Sequence, residues 1–200
     1  MNEINHLEDQ RDLKLFMILL GSKAPKRNVE QHDYFFGIAE TIKELVTEMK
    51  SFWPEAGSSL HVDGWRIVNH VDGYAVKVVP RTVDTVEIPE KLFFINLGGY
   101  QSNKLSEQHY TVLTVQSDRA VAVQESKKTV FYKTNTLKGA NSHIDEKYGI
   151  DVDDIYKVEE ILSDAFKQRY HIQLIPSQDL PEDEVILGYF KMDKLEKLKS

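Results

Sequence analysis

The stretch KLFMILLGSK at residues 14–23 returns 77 residues later as KLFFINLGGY at residues 91–100. The likeness extends past the apolar run. Gly21 is followed nine residues on by Glu30-Gln31-His32, and Gly98 is followed nine residues on by Glu107-Gln108-His109. Apolar patterning converges easily between unrelated strands, but an identical polar triplet at an unchanged offset does not. A third echo, at a slightly larger offset, sets HVD at residues 61–63 beside HID at residues 143–145. Each stretch then closes on an apolar run stopped by proline, VKVVP at Pro80 and IQLIP at Pro176. The pattern predicts an internal duplication, and a repeat constrains the fold more than any local propensity does. The first repeat spans residues 14–80 and the second 91–176, joined by a linker at 81–90. Residues 1–13 form a polar extension, and 177–200 an edge strand and tail.

Within each repeat the order of elements is legible. Residues 15–20 and 92–97 are apolar on both alternating faces, which suits a strand covered on both sides. Residues 33–39 and 110–115 are rich in aromatic and β-branched side chains and predict second strands. In the first repeat a helix follows. Thr41 and Glu44 make a capping box, Ile42, Leu45, Val46 and Met49 form one apolar stripe, and Pro54 ends it. In the second, Ser117 is the expected N-cap, with Asp118 at the positive helix end and a weaker stripe of Ala120, Val123 and Val130. A hairpin is expected from residues 65–71 and 74–79 around Asp72-Gly73. By repeat logic residues 155–158 form the matching strand, followed by helix or turn. Residues 185–190 suggest an edge strand, and 191–200 a frayed helix or tail. The expected fold class is α+β, an internal duplication of a ββαββ unit whose two copies are related by a pseudo-twofold.

Charge and composition narrow the function classes. The chain is 41% hydrophobic and 28% charged, enough to bury a core. With 25 basic against 32 acidic residues its formal charge is -7, which disfavours a surface for duplex nucleic acid. It has no cysteine, so disulfides, thiolate zinc sites and thiol catalysis are excluded. The polar start carries no signal-peptide core, and residues 15–20 are too short to span a bilayer. A soluble, cytoplasmic protein without membrane partners is the expectation.

Several of these stretches, taken in order, resemble a small bacterial family known only as domain of unknown function 1543. KLFMILLG, EQHD, FWPEAG, LHVDGW, KLFFINLGGY, EQHY and SHIDEKYGIDVDDIY carry the resemblance, over nearly the whole chain except its ends. The resemblance implies a duplicated bacterial domain. It brings no activity and assigns no catalytic residue.

The candidate site residues are the repeated polar ones: Glu30, His32, His61, Asp63, Glu107, His109, His143 and Asp145, with Gly98 and Gly99. Residues two apart on a strand share a face, so each His stands beside a carboxylate. Such a pair serves as metal ligand and orienter, as an oriented base, or as a structural hydrogen bond. Duplicated positions suit a structural tie as well as a site, and no fixed-spacing metal motif is present. Gly98 and Gly99 either cradle an anion or mark a strand end with an unusual backbone angle. The acidic run at 145–154 lacks the calcium-loop order, and the aromatics at 52–57 read first as a core plug. The leading expectation is a non-catalytic module binding a small ligand or a protein partner. The rival is a metal-dependent hydrolase using the repeated His and Asp residues with a divalent metal.

Overall fold

A computed structural model describes residues 11–82, 88–100, 105, 107–135, 151–178 and 180–197. In chain order the first elements are β1 (Lys14–Ser22), β2 (Gln31–Ala39), α1 (Val46–Phe52), β3 (His61–Ile67), β4 (His70–Val71) and β5 (Tyr74–Pro80). They are followed by β6 (Lys91–Tyr100), β7 (Glu107–Gln116), α2 (Arg119–Asn135), β8 (Asp151–Lys157) and α3 (Val158–Ile161). The last are α4 (Asp164–Arg169), β9 (Tyr170–Pro176), β10 (Val185–Lys191) and α5 (Met192–Leu195). The chain is mixed α and β, with antiparallel sheets and short helices, and divides into two units. One holds residues 1–85 and 162–200, the other 86–161.

The first unit is organised by β1. Leu15, Phe16, Ile18 and Leu20 are all buried, so side chains on both faces of the strand are withdrawn from water. A strand covered on both faces takes an interior place in its sheet, and the order is β10-β3-β1-β2. Beyond β2, a 3₁₀ turn at Ile42–Leu45 runs into α1, and Ile42, Leu45, Val46 and Met49 all face the core. Glu44 accepts from the Thr41 amide at 3.1 Å and from its hydroxyl at 2.9 Å, the reach-back half of a capping box. Trp53 ends α1, and Pro54 opens the next 3₁₀ turn, Pro54–Ser59.

The expected hairpin is shorter than its sequence suggests. Asp72 and Gly73 have φ of 49° and 80° and make the tight turn, but only His70 and Val71 pair with β5. Residues 61–67 belong to the first sheet, flanked by β1 and β10, so their ladder groups are already committed. The second sheet has the order β4-β5-β9. Its β5–β9 register runs from Tyr74↔Pro176 to Pro80↔Tyr170 and is symmetric about Lys77↔Gln173. In the C-terminal segment, expected as a frayed helix or tail, α5 forms and buries Met192 and Leu195. Two apolar anchors one helical turn apart hold it down.

In the second unit β6 lies between β7 and β8. Phe93, Ile95, Leu97 and Ala122 form its core, with Val112 and Ile155 packed against them. Helix α2 is capped by Asp118 rather than Ser117. The Asp118 carboxylate accepts from the Val121 amide at 3.0 Å while its carbonyl accepts from Ala122 at 3.1 Å. The helix buries Ala122 and Ser126, whereas the expected Ala120 is exposed. Val123 is half-buried, and the side chain of Val130 lies outside the described residues. Strand β8 ends at Lys157 and α3 begins at Val158. Among the described residues no helix is long and apolar enough to cross a membrane.

Both units carry the same irregularity. The β1–β3 register shifts between Leu19 and Leu20, passing over Asp63. The β6–β8 register shifts between Asn96 and Leu97, passing over Asp153. Leu19 and Asn96 stand at the repeat offset of 77.

Leu45→Ala is expected to cost about 2–5 kcal/mol, as buried large-to-small changes do, and to lower the urea midpoint accordingly. Glu44 generates a second prediction. Burial pushes its carboxyl up, but hydrogen bonds from Thr41 and Arg11 and the Arg11 charge outweigh that and hold it below its ordinary value. A depressed carboxylate stabilises the fold above its unfolded value, and that contribution fades as pH falls through the folded one. The stability gap between wild type and Glu44→Gln should therefore be widest near neutrality and shrink on acidification, read from urea midpoints across the acid range.

Candidate functional site

The two ladders of β1 place three residues in one row across the sheet. Gly21 pairs with His32 on β2 and with His61 on β3. The histidines are therefore lateral neighbours separated only by a residue without a side chain. Asp63, the residue of the β3 bulge, enters the space between them. A bulge inserts a residue into one strand and re-aims side chains there. Glu30, immediately before β2, approaches from the same end.

The distances are short. His32 Nε2 lies 3.0 Å from Asp63 Oδ2, His61 Nε2 lies 3.3 Å from Asp63 Oδ1, and His61 Nε2 lies 3.2 Å from Glu30 Oε1. These are ion-pair separations, yet His61 Nε2 and Asp63 Oδ2 are buried atoms that make no hydrogen bond. The atoms are near enough to interact but off the line that a ring N–H requires. A Cβ on Gly21 would fall 2.5 Å from both His61 Nε2 and Asp63 Oδ2. The glycine is thus required by crowding, and its backbone is not in the left-handed region.

The state of His61 follows from its other nitrogen. Nδ1 is 2.8 Å from the Ser59 carbonyl, which only accepts, so Nδ1 carries a proton. Nε2 then faces two carboxylates, those of Glu30 and Asp63. Ser59 is itself held. Its hydroxyl donates to the Ala56 carbonyl at 2.7 Å, so Ser22 is the donor in the 2.7 Å Ser22–Ser59 contact. The Tyr189 ring covers His61 at 4.3 Å between centroids. Tyr189 sits where the β10–β3 register shifts between Leu187 and Phe190. Only 2% of the His61 side chain is exposed, against 24% for Asp63, 43% for Glu30 and 47% for His32.

The second repeat is arranged differently. Gly98 pairs with His109 on β7 and with Asp151 on β8, so Asp151 takes the register place that His61 holds. His143 and Asp145 lie outside the described residues. Glu107 pairs with Tyr100 and Gly99 with Gln108. Gly98 and Gly99 are therefore ladder residues inside β6. His109 is exposed, with Asn96 Nδ2 3.4 Å from its Nδ1, and Asn96 also lies 3.5 Å from Asp154. Glu30, His32, His61 and Asp63 are thus brought together in the first unit. Sequence reasoning missed Tyr189, Ser22 and Ser59. An i,i+2 pattern could place His61 with Asp63, but nothing local ties Tyr189 to a residue more than a hundred positions away.

Residues 27–78 match a family described as Domain of Unknown Function (DUF1543). That segment contains all four clustered residues. No curated protein matches the chain. Among solved structures it is similar to the crystal structure of a protein Il1583 from Idiomarina loihiensis, at 21% identity and a TM-score of 0.61. That match covers 90% of this chain and 99% of the other, a likeness of fold.

Gly21→Ala tests the crowding. Overpacking of this kind costs about 1–3 kcal/mol, so the urea midpoint should fall, and adding Asp63→Ala should recover part of the loss. Unchanged stability in Gly21→Ala would show that the space over Gly21 is open.

Proposed function

We propose that this chain is a non-catalytic binding module whose site is the cluster of Glu30, His32, His61 and Asp63, and that its small ligand carries positive charge. The observation that carries the reading is the convergence of Glu30, His32, His61 and Asp63 beside a glycine, where the buried His61 Nε2 and Asp63 Oδ2 lie at ion-pair distance yet make no hydrogen bond. Leaving a buried polar atom without a partner costs about 1–3 kcal/mol, and such an atom in a functional protein asks for a partner that arrives later. Two carboxylates at the cluster favour a cation or a charged donor and repel an anion. A binding role fits better than catalysis because the two nearby hydroxyls, Ser22 and Ser59, are tied into one chain of hydrogen bonds. Ser22 is fully buried and is not an accessible nucleophile, and the Ser59 hydroxyl is committed to the Ala56 carbonyl.

We also infer that the chain arose by duplication of a ββαββ unit. The matching bulges on β3 and β8 at the repeat offset support this, as does the symmetric register of β5 and β9. The last strands of the two repeats then pair with each other about a local twofold. On this reading the first copy kept the site, while drift altered the second, where Asp151 replaces a buried histidine.

A thermal-shift panel of small ammonium and guanidinium compounds and divalent ions tests the binding reading. A ligand at a hundred times its Kd stabilises by about 2.7 kcal/mol, which is about 5–10 °C for a chain of this size. At least one compound should give such a shift in wild type and lose it in Asp63→Asn. A panel without a shift, or shifts equal in both proteins, would overturn the proposal.

A further inference from the structure

We propose that the free edge of β10 pairs with the same strand of a second copy of this chain, antiparallel and about a twofold axis, so that the protein forms a symmetric dimer. β10 ends its sheet. The order is β10-β3-β1-β2, and among the described residues no strand pairs with its other side. An edge offers a row of backbone donors and acceptors to any strand that meets it, and proteins blunt such edges with charge, proline or a short strand. The run VILGYFK at residues 185–191 holds no proline and no charge before Lys191. It does carry a bulge between Leu187 and Phe190, which bends the strand but leaves its apolar surface in place.

That surface is exposed on both faces of the strand. Val185 and Leu187 are 57% and 74% exposed, and Ile186, on the alternate face, is 37% exposed. Tyr189 is 63% exposed, while Phe190 is held edge-on against Trp65 at 4.9 Å between centroids. β2, at the opposite edge of the same sheet, buries Phe35, Phe36, Ile38 and Ala39. Neighbouring large apolar side chains left in water mark an interaction site. Exposure on both faces points to a strand as the partner. A strand laid alongside covers both faces and pairs the backbone as well, whereas a docked helix covers one face and pairs nothing.

Charge identifies which strand. Glu182, Asp183 and Glu184 precede β10, while Lys191, Lys194 and Lys197 stand at its end and beyond. An antiparallel copy lays the acidic end over the basic one, and a parallel copy sets like against like. With the axis between Leu187 and Gly188, Glu184 stands opposite Lys191 of the second copy, Val185 opposite Phe190, Ile186 opposite Tyr189 and Leu187 opposite Gly188. Glu184 and Lys191 are both exposed, and opposite charges facing across a strand pair attract. Gly188 has no side chain to crowd Leu187. A register one residue shorter would give Lys191 to Asp183, whose carboxylate oxygens already accept from the Asn69 amide at 3.1 Å. A register one residue longer would set Lys191 against Val185. In a twofold contact each pair is made twice, so the Glu184–Lys191 attraction counts double.

The test is analytical ultracentrifugation of the full chain over a dilution series. Wild type is expected to show a reversible monomer–dimer equilibrium. Glu184→Lys and Lys191→Glu should each raise the dimer Kd about tenfold, because two attractive pairs become repulsive. The double variant exchanges the charges and should return the Kd close to the wild-type value. Leu187→Lys places a charge beside the axis and should leave a monomer with the wild-type urea midpoint, since Leu187 is mostly exposed. Where Leu187→Lys does not fold, the exposed charge variants carry the test. A wild type that sediments as a monomer at every concentration overturns the proposal and leaves the edge to a foreign strand. A dimer indifferent to all of these changes uses another face and overturns it too. Single variants that weaken the dimer without recovery in the double variant overturn the antiparallel register, and the pairing with it.

Discussion

Everything near the candidate site depends on β1 having neighbours on both sides. A strand whose two faces are both buried sits inside its sheet, and residues Phe16 to Gly21 of β1 each have a lateral partner on both sides. At Gly21 those partners are His32 and His61. Strands lie about 4.7–4.9 Å apart, so two histidines on outer strands stand about 10 Å apart at their backbones. They approach a common carboxylate only because nothing projects from the strand between them. The hydrophobic drive that buries Leu15, Ile18 and Leu20 therefore also sets the positions of the polar groups at the strand's end.

The bulge supplies the other half of the arrangement. Without an extra residue in β3, Asp63 would take a regular ladder place opposite β1. With it, the register passes over Asp63, and the carboxylate is free to reach both His32 and His61. The same irregularity in β8 passes over Asp153 beside Asn96. The two register shifts stand 77 residues apart on β1 and β6, the offset of the sequence likeness. What differs between the repeats is the residue facing the glycine, His61 in one and Asp151 in the other.

Burial sets His61 apart from the other three members of the cluster. It is nearly inaccessible, its Nδ1 is committed to a carbonyl, and its Nε2 is close to two carboxylates without bonding to either. An exposed histidine in that position would satisfy itself with water. A buried one keeps an unmet demand, and in a packed interior that demand is met by a ligand or remains as a cost.

Local chemistry alone determined a good deal. The two apolar strands, the capping box at Thr41 and Glu44, the helix stop at Pro54, the turn at Asp72-Gly73 and the edge strand at 185–190 are all short-range patterns, readable because they depend on neighbours within a few residues. The likeness of Glu30-Gln31-His32 to Glu107-Gln108-His109 was readable for the same reason. Tertiary structure decided the rest. It cut the predicted hairpin by drawing residues 61–67 into a sheet with β1 and β10. It buried Ala122 and Ser126 on α2 and left Ala120 exposed. It put Asp151 opposite Gly98, through a register that a one-residue shift would have changed. And it laid Tyr189 over His61 from a distant strand. Register and long-range pairing depend on which segments meet, and no residue carries that information by itself.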